Sequence, residues 1–135
     1  MRALDQRTSP YAEFETFVAG AAGRLLHVAI LLTGEPETAR RLLAGALART
    51  YAHWQRVRGD DPYDFTRQEL CAAFARTAWR HHRGGGVLAR LSPLERLVLV
   101  LRIYEGVAEE VTAAQLGLPA ERVRVLCNRA VAELR

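Results

Sequence analysis

The residues with the clearest chemistry lie near the C-terminus, where four positions have the spacing of a helix-turn-helix. Ala113 is small enough for two helices to cross closely, and Gly117 supplies a left-handed turn without steric strain. Val123 and Leu126 follow at positions that face a shared core. Such a tight helix pair presents its second helix to the major groove of DNA. Because ordinary helical hairpins also have this spacing, the motif predicts the hairpin and favours DNA binding.

The second helix of this motif would present polar and cationic side chains on its outer face. Arginine pairs with guanine through two hydrogen bonds or contacts phosphate, and asparagine suits adenine. The 19 basic residues, all arginine, exceed the 15 acids and give a net charge of +4, which favours an anionic partner. The predicted DNA-binding residues are Arg122, Arg124, Val125, Asn128 and Arg129.

No arrangement of side chains in the sequence predicts catalysis, a metal site or a cofactor. His27, His53 and the pair His81-His82 lack companions at metal-ligand spacing. Cys71 and Cys127 fall on or near apolar helix faces and are interpreted as reduced core thiols. The sequence therefore predicts a binding protein and no enzyme.

The elements that position these residues are predicted to be helices. The 135 residues are 50% hydrophobic and 25% charged, with few β-branched residues, which favours an all-α globular fold. Apolar residues recur at helical spacing in six segments, of which the second is predicted to continue through Val57 and the third to run from about Pro62 to Arg83. Gly84-Gly85-Gly86 divides these segments into two groups of three helices. We predict a helical unit over residues 1–83, a short linker over 84–90 and a helix-turn-helix unit over 91–135.

Several starts of these helices are marked by a proline at a first helical position. No apolar run approaches the ~18 residues of a membrane span, and the N-terminus lacks the apolar core of a signal peptide. We expect a cytoplasmic protein with no membrane partner.

Both halves of the chain resemble one family. Leu91–Gly106 and the closing segment Val123–Arg135 resemble region 4 of the extracytoplasmic-function sigma factors of bacterial RNA polymerase. Leu25–Gly34, followed by Ala46–Trp54, is similar to region 2 of the actinobacterial branch of that family. The resemblance covers about residues 12–135. It implies that the C-terminal unit reads the −35 promoter element and contacts the polymerase flap. The N-terminal unit is then expected to grip the polymerase clamp and open the −10 element.

Carried over by position, the resemblance assigns two further sets of candidate residues. Those expected on the face turned toward −10 DNA are Arg67, Arg76, Trp79, Arg80 and Arg83. Those expected at the interface with core RNA polymerase are Arg40, Arg41, Leu43 and Ala44.

Three departures from the family pattern leave a second function open. Arg40-Arg41 stands where the family has an acidic pair, and such a charge reversal can reject a partner. Ala72 replaces an asparagine that receives a flipped −10 base. The linker, roughly seven residues or about 25 Å when extended, is shorter than the family's. The alternative is a degenerate sigma-like protein that no longer binds polymerase and acts as a protein-interaction or accessory regulatory module.

The sequence leaves two further questions about partners and packing open. Under the alternative function the protein could hold an anti-sigma-like protein partner, form a dimer, or bind DNA as an accessory regulator. The short linker also raises the hypothesis that the two units pack together and mask the recognition helix.

Overall fold

A computed structural model describes residues 9–81 and 85–135 of the chain. All regular structure in these two ranges is helical, which confirms the predicted all-α class. A 3₁₀ turn over Ala78–His81 follows the fourth helix, and a π-helical turn over Val100–Tyr104 extends the fifth. The α-helices, in chain order, are α1 Pro10–Thr33, α2 Pro36–Ala52, α3 Trp54–Val57, α4 Pro62–Arg76, α5 Pro93–Leu99, α6 Glu109–Leu116 and α7 Ala120–Glu133.

Four of these helices begin with a proline, as the sequence predicts. The start of α5 shows why the chain turns there. The hydroxyl of Ser92 accepts a hydrogen bond from the amide of Glu95, and the Glu95 carboxylate accepts one from the amide of Ser92. This capping box satisfies two amides that have no partner within the helix.

Two helix ends differ from the sequence prediction. The segment predicted to continue from α2 through Val57 breaks at His53, which starts the separate short helix α3. The predicted third helix, residues 62–83, ends at Arg76 because the chain tightens into a 3₁₀ turn. Residues 82–84 lie outside the described ranges, so the predicted start of the linker at Gly84 and the candidate Arg83 do too.

Among the described residues, α1 is the one helix long and apolar enough to cross a membrane by length and composition. This helix of 24 residues includes an 18-residue stretch of high mean hydropathy, which the prediction that no apolar run approaches a membrane span does not anticipate. Five of its apolar residues pack into the protein core, as those of a core helix do: Ala21, Leu25, Val28, Ala29 and Leu32. The apolar character of α1 is therefore weak support for a membrane span.

The two predicted helical groups share one hydrophobic core. Within the N-terminal group, α2 and α4 are also joined by a buried hydrogen bond of 2.7 Å between the hydroxyls of Thr50 and Thr66. The shared core takes Val28, Leu32, Leu70 and Phe74 from the N-terminal group and Leu97, Leu101 and Ala130 from the C-terminal group. The two units therefore form a single packed body.

The junction between the units depends on close backbone contact at two glycines. Gly34 ends α1 with a φ of 72°, in the left-handed region. A Cβ atom at Gly34 would lie 1.7 Å from the carbonyl oxygen of Gly85, so only glycine fits there. The second group thus begins directly against the end of the first helix.

A buried arginine fixes the same junction. Arg96 is 1% exposed and donates hydrogen bonds to the carbonyl oxygens of Leu32, at 3.0 Å, and Leu91, at 3.1 Å. It also reaches the carbonyl oxygen of Leu88, at 3.2 Å. One side chain of α5 therefore binds both the end of α1 and the segment that leads into α5.

Candidate nucleic-acid interface

The C-terminal unit contains the helix-turn-helix that the sequence predicts. Gly117 ends α6 with a φ of 69°, and the amide of Leu118 donates to the carbonyl of Ala113 at 2.9 Å. Ala113, Val123 and Leu126 are buried together. The four positions of the motif thus act as their spacing predicts: a close helix contact, a left-handed turn and a shared core.

Packing of one face of α7 leaves the opposite face in solvent. The buried residues of α7 are Val123, Leu126 and Ala130. The exposed residues include all five of the predicted DNA-binding set: Arg122, Arg124, Val125, Asn128 and Arg129. The helix therefore presents guanidinium, amide and small apolar groups on one accessible surface, as a recognition helix requires.

One arginine of this surface is held by the neighbouring helix. The guanidinium of Arg124 lies 3.0 Å from the carboxylate of Glu109, and the Arg124 side chain stays 58% exposed. The hydrogen bond to Glu109, together with the nearby negative charge, raises the pKa of Arg124. The pair orients Arg124 while leaving its outer edge accessible.

The residues predicted to face −10 DNA separate into two groups. Arg76, Trp79 and Arg80 are exposed, and the Arg80 guanidinium lies 4.9 Å from the centre of the Trp79 ring. An exposed indole beside a cation can stack with a nucleobase. Arg67 differs, because its side chain is 11% exposed and is directed at acidic residues of the protein. In the packed arrangement, Arg67 is not available to DNA.

Arg67 belongs to an ionic cluster between the two units that the sequence did not indicate. Its guanidinium lies 2.8 Å from the carboxylate of Glu105, which follows the π-helical turn. Arg24 of α1 lies 2.8 Å from the other oxygen of the same carboxylate. The hydroxyl of Tyr63 donates to Glu105 at 2.9 Å. Three side chains of the N-terminal unit therefore surround one carboxylate of the C-terminal unit.

The electrostatics of this cluster follow from burial and charge. Burial alone would raise the pKa of Glu105, whose side chain is 1% exposed. Hydrogen bonds from Arg67, Arg24 and Tyr63 outweigh that effect and hold the pKa below its ordinary value. Burial, followed by the hydrogen bond to Glu105, raises the pKa of Tyr63. Glu105 is therefore a carboxylate and Tyr63 a neutral donor at neutral pH.

The residues predicted to contact polymerase lie on α2 and are not equally accessible. Arg40, Arg41 and Ala44 are exposed, and Arg40 lies 2.9 Å from Glu37 one turn earlier. Leu43 is buried against Ala21 and Leu25 of α1. The outward surface of this turn is therefore basic, and Leu43 belongs to the interior of the unit.

The structure also tests the hypothesis that packing of the two units against each other masks the recognition helix. The two units do pack together, through the shared core and the Glu105 cluster. The outer face of α7 is nevertheless exposed. The masking hypothesis is therefore wrong for α7, although packing does remove Arg67 from solvent.

The fold and this surface together define a helical protein with a C-terminal helix-turn-helix that offers a cationic recognition helix. Residues 87–135 match the family Sigma-70, region 4. The chain is 32% identical to the RNA polymerase sigma-E factor of Streptomyces coelicolor, with 91% of this chain and 84% of the relative covered. It is 31% identical to the proteins of the same name from Streptomyces avermitilis and Streptomyces antibioticus, with 91% of this chain and 83% of each relative covered. No solved structure matches the chain significantly.

The chain belongs to the extracytoplasmic-function family of RNA polymerase sigma factors. This confirms the resemblance seen in the sequence, and it confirms the predicted function of a DNA-binding transcription-initiation protein. The alternative of a degenerate module is not favoured. The aligned length of 149 positions exceeds the 135 residues of this chain, so the relatives carry residues that this chain lacks.

Proposed function

We propose that this chain binds promoter DNA and core RNA polymerase in the cytoplasm. The observation that carries the proposal is the exposed face of α7, with Arg122, Asn128 and Arg129 above a packed hairpin. The names of the relatives, which are RNA polymerase sigma factors, support polymerase as the second partner.

In this proposal α7 enters the major groove of the −35 element. Arg122 and Arg129 lie two turns apart on α7, so they can contact a base edge and a phosphate from one helix face. Asn128 is suited to adenine, and Val125 can contact a thymine methyl group. Arg124 contacts phosphate while the Glu109 carboxylate orients it.

The −10 element is assigned to the exposed residues that follow the middle of α4. Arg76 and Arg80 supply positive charge, and Trp79 is 68% exposed and supplies a stacking surface. Ala72 lies beside them and cannot form the hydrogen bond of the asparagine typical of the family. We therefore expect stacking and phosphate contacts to supply most of the affinity on this side.

DNA binding by α7 is tested by measuring affinity for a promoter duplex as a function of salt. Arg122→Ala and Arg129→Ala are each expected to cost about 1–3 kcal/mol or to reduce the salt slope by about 1, depending on whether a base or a phosphate is contacted. Arg90→Ala, at an exposed arginine outside α7, is the matched control and should leave both quantities unchanged. Unchanged affinity and slope in both α7 variants would remove the assignment.

Polymerase is expected to contact the exposed turn of α2 that carries Arg40, Arg41 and Ala44. Because two cations lie where the family has acids, the opposing polymerase surface must tolerate or pair with positive charge. Arg40→Ala combined with Arg41→Ala should weaken binding to core polymerase, whereas Arg90→Ala should not. A gain in affinity would show that the two arginines oppose the interface.

A further inference from the structure

A groove of about 380 Å³ lies at the junction between the two units, and this volume is within the range of sites that bind small molecules. Ala72 and Ala75 line it from α4, and Leu116 lines it from α6. The buried residues Cys71 and Leu101 also line it, one from each unit. The groove is therefore built by both units and exists only while they are packed.

The interior of the groove is apolar because α4 contributes small side chains there. Ala72 and Ala75 are both exposed, and each side chain ends at its Cβ atom, which leaves space between α4 and Leu116. Cys71 adds an uncharged surface, since burial raises the pKa of its thiol to about 12. An apolar group placed here would contact carbon and sulfur atoms and release water from them.

The charges on the rim of the groove select the head group of a ligand. The carboxylate of Glu69 lies 2.8 Å from the guanidinium of Arg49, so its charge is already paired. Gln68 and Gln115 also line the groove and are neutral. Arg76 is exposed, and among the described residues it forms neither an ion pair nor a side-chain hydrogen bond. Its guanidinium is therefore free to pair with a carboxylate, to which it can donate two parallel hydrogen bonds.

The position of Arg76 also sets the length of the ligand. Gln68 and Arg76 mark the two ends of the α4 wall, and eight residues of helix separate them by about 12 Å along the axis. An apolar body of this length or less, with one carboxylate at its end, can fill the groove and reach Arg76.

We propose that this groove binds a small amphipathic carboxylate, with its apolar body between α4 and Leu116 and its carboxylate paired with Arg76. Because such a ligand contacts both units, its binding stabilises the packed arrangement over any arrangement in which the units separate. The site goes beyond the proposed function, with which it shares only Arg76.

The test titrates the full chain with sodium octanoate, without DNA or polymerase and at the ionic strength of a chloride control. Backbone amide resonances and the unfolding temperature are followed. Octanol, which lacks the charge, and octylammonium, which carries the opposite charge, are the matched probes. Arg76→Gln removes the guanidinium and Ala72→Leu fills the groove. Arg80→Gln, at an exposed arginine outside the groove, is the control variant.

Octanoate is expected to shift amide resonances on both walls, around Ala72 and around Leu116, and to raise the unfolding temperature. Octanol should bind about tenfold more weakly, equivalent to about 1.4 kcal/mol, and octylammonium more weakly still. Arg76→Gln should lose the same factor for octanoate and leave octanol binding unchanged. Ala72→Leu should weaken both probes, and Arg80→Gln should behave as the unchanged protein.

Octanol binding as tight as octanoate binding, or an equal loss in Arg76→Gln and Arg80→Gln, would overturn the pairing of a carboxylate with Arg76. Resonance shifts confined to α4, or centred on the exposed rings of Tyr11 and Tyr51, would overturn the groove as the site. Because DNA and polymerase are absent from these samples, such results leave the function assigned to α7 intact. That function fails separately, if duplex binding is insensitive to Arg122→Ala.

Discussion

Replacing Arg96 with methionine gives a sharp test of how the two units are held together. The Arg96 guanidinium is buried and donates to three backbone carbonyls, of Leu32, Leu88 and Leu91. Methionine keeps the unbranched apolar stem and removes the donors. The three carbonyls would then lack this donor at the junction between α1 and α5.

The magnitude follows from two opposing effects. The carbonyl of Leu88 keeps a hydrogen bond from the amide of Leu91 at 3.0 Å. The carbonyls of Leu32 and Leu91 lose their donor at a cost of about 1–3 kcal/mol each, which places the gross loss at roughly 2–6 kcal/mol. Burial lowers the pKa of Arg96, and one of its terminal nitrogens has no partner within the described residues. Removing that buried charge recovers part of the loss. We expect a net decrease of about 2–4 kcal/mol in the free energy of unfolding.

The assay is urea unfolding followed by circular dichroism, with Arg90→Met as the control because Arg90 is exposed in the same segment. Arg96→Met should lower the midpoint strongly, and Arg90→Met should shift it by less than about 0.5 kcal/mol. A loss below about 0.5 kcal/mol for Arg96→Met would refute the reasoning, because it would mean that the three carbonyls gain nothing from the guanidinium.

Three other predictions concern the same junction and core. Gly34→Ala should lower the free energy of unfolding by about 2–4 kcal/mol, because Gly34 has a left-handed φ and an added Cβ would meet Gly85. The control Gly20→Ala, on open helix surface, should raise the free energy of unfolding by about 0.5–1 kcal/mol. Folding lowers the pKa of Glu105, so the Glu105 carboxylate stabilises the folded protein above about pH 4.3. This stabilisation is lost as the pH falls through the lowered pKa. The difference in melting temperature between the unchanged protein and Glu105→Gln should therefore narrow on acidification, and a constant difference would contradict this. Burial raises the pKa of the Cys71 thiol to about 12, so a thiol reagent at mild pH should modify Cys127 first and Cys71 only at the rate of unfolding.

The helix-turn-helix could be predicted because its determinants are local. Gly117 requires a left-handed turn, and Ala113 and Val123 need only be small or apolar at fixed spacing. The start of α5 is equally local, because Ser92 caps the helix and Pro93 occupies its first position. Exposure of the α7 face follows from the same periodicity, since burying Val123, Leu126 and Ala130 turns the opposite side outward.

The Glu105 cluster could not be predicted, because its members are distant in sequence. Glu105 is 81 residues from Arg24 and 38 from Arg67, and no periodic pattern links them. The π-helical turn before Glu105 also changes which residues face the N-terminal unit, and helical periodicity does not show such a turn. The position of Arg67 in the family pattern therefore predicts the DNA face, whereas tertiary packing directs this side chain to Glu105.

The hydrogen bonds that Arg96 donates at the junction of α1 and α5 could not be predicted for a similar reason. An arginine in an apolar stretch ordinarily extends to solvent, and only the approach of Leu32 and Leu88 supplies the carbonyls that hold it inside.

The most direct test of the central claim is the titration of core RNA polymerase with the labelled full-length protein. The account predicts saturable one-to-one binding that is weakened by the combined Arg40→Ala and Arg41→Ala substitutions. It also predicts that the complex binds promoter duplex with an affinity that depends on Arg122 and Arg129. Absence of binding to polymerase at micromolar concentrations would contradict the account.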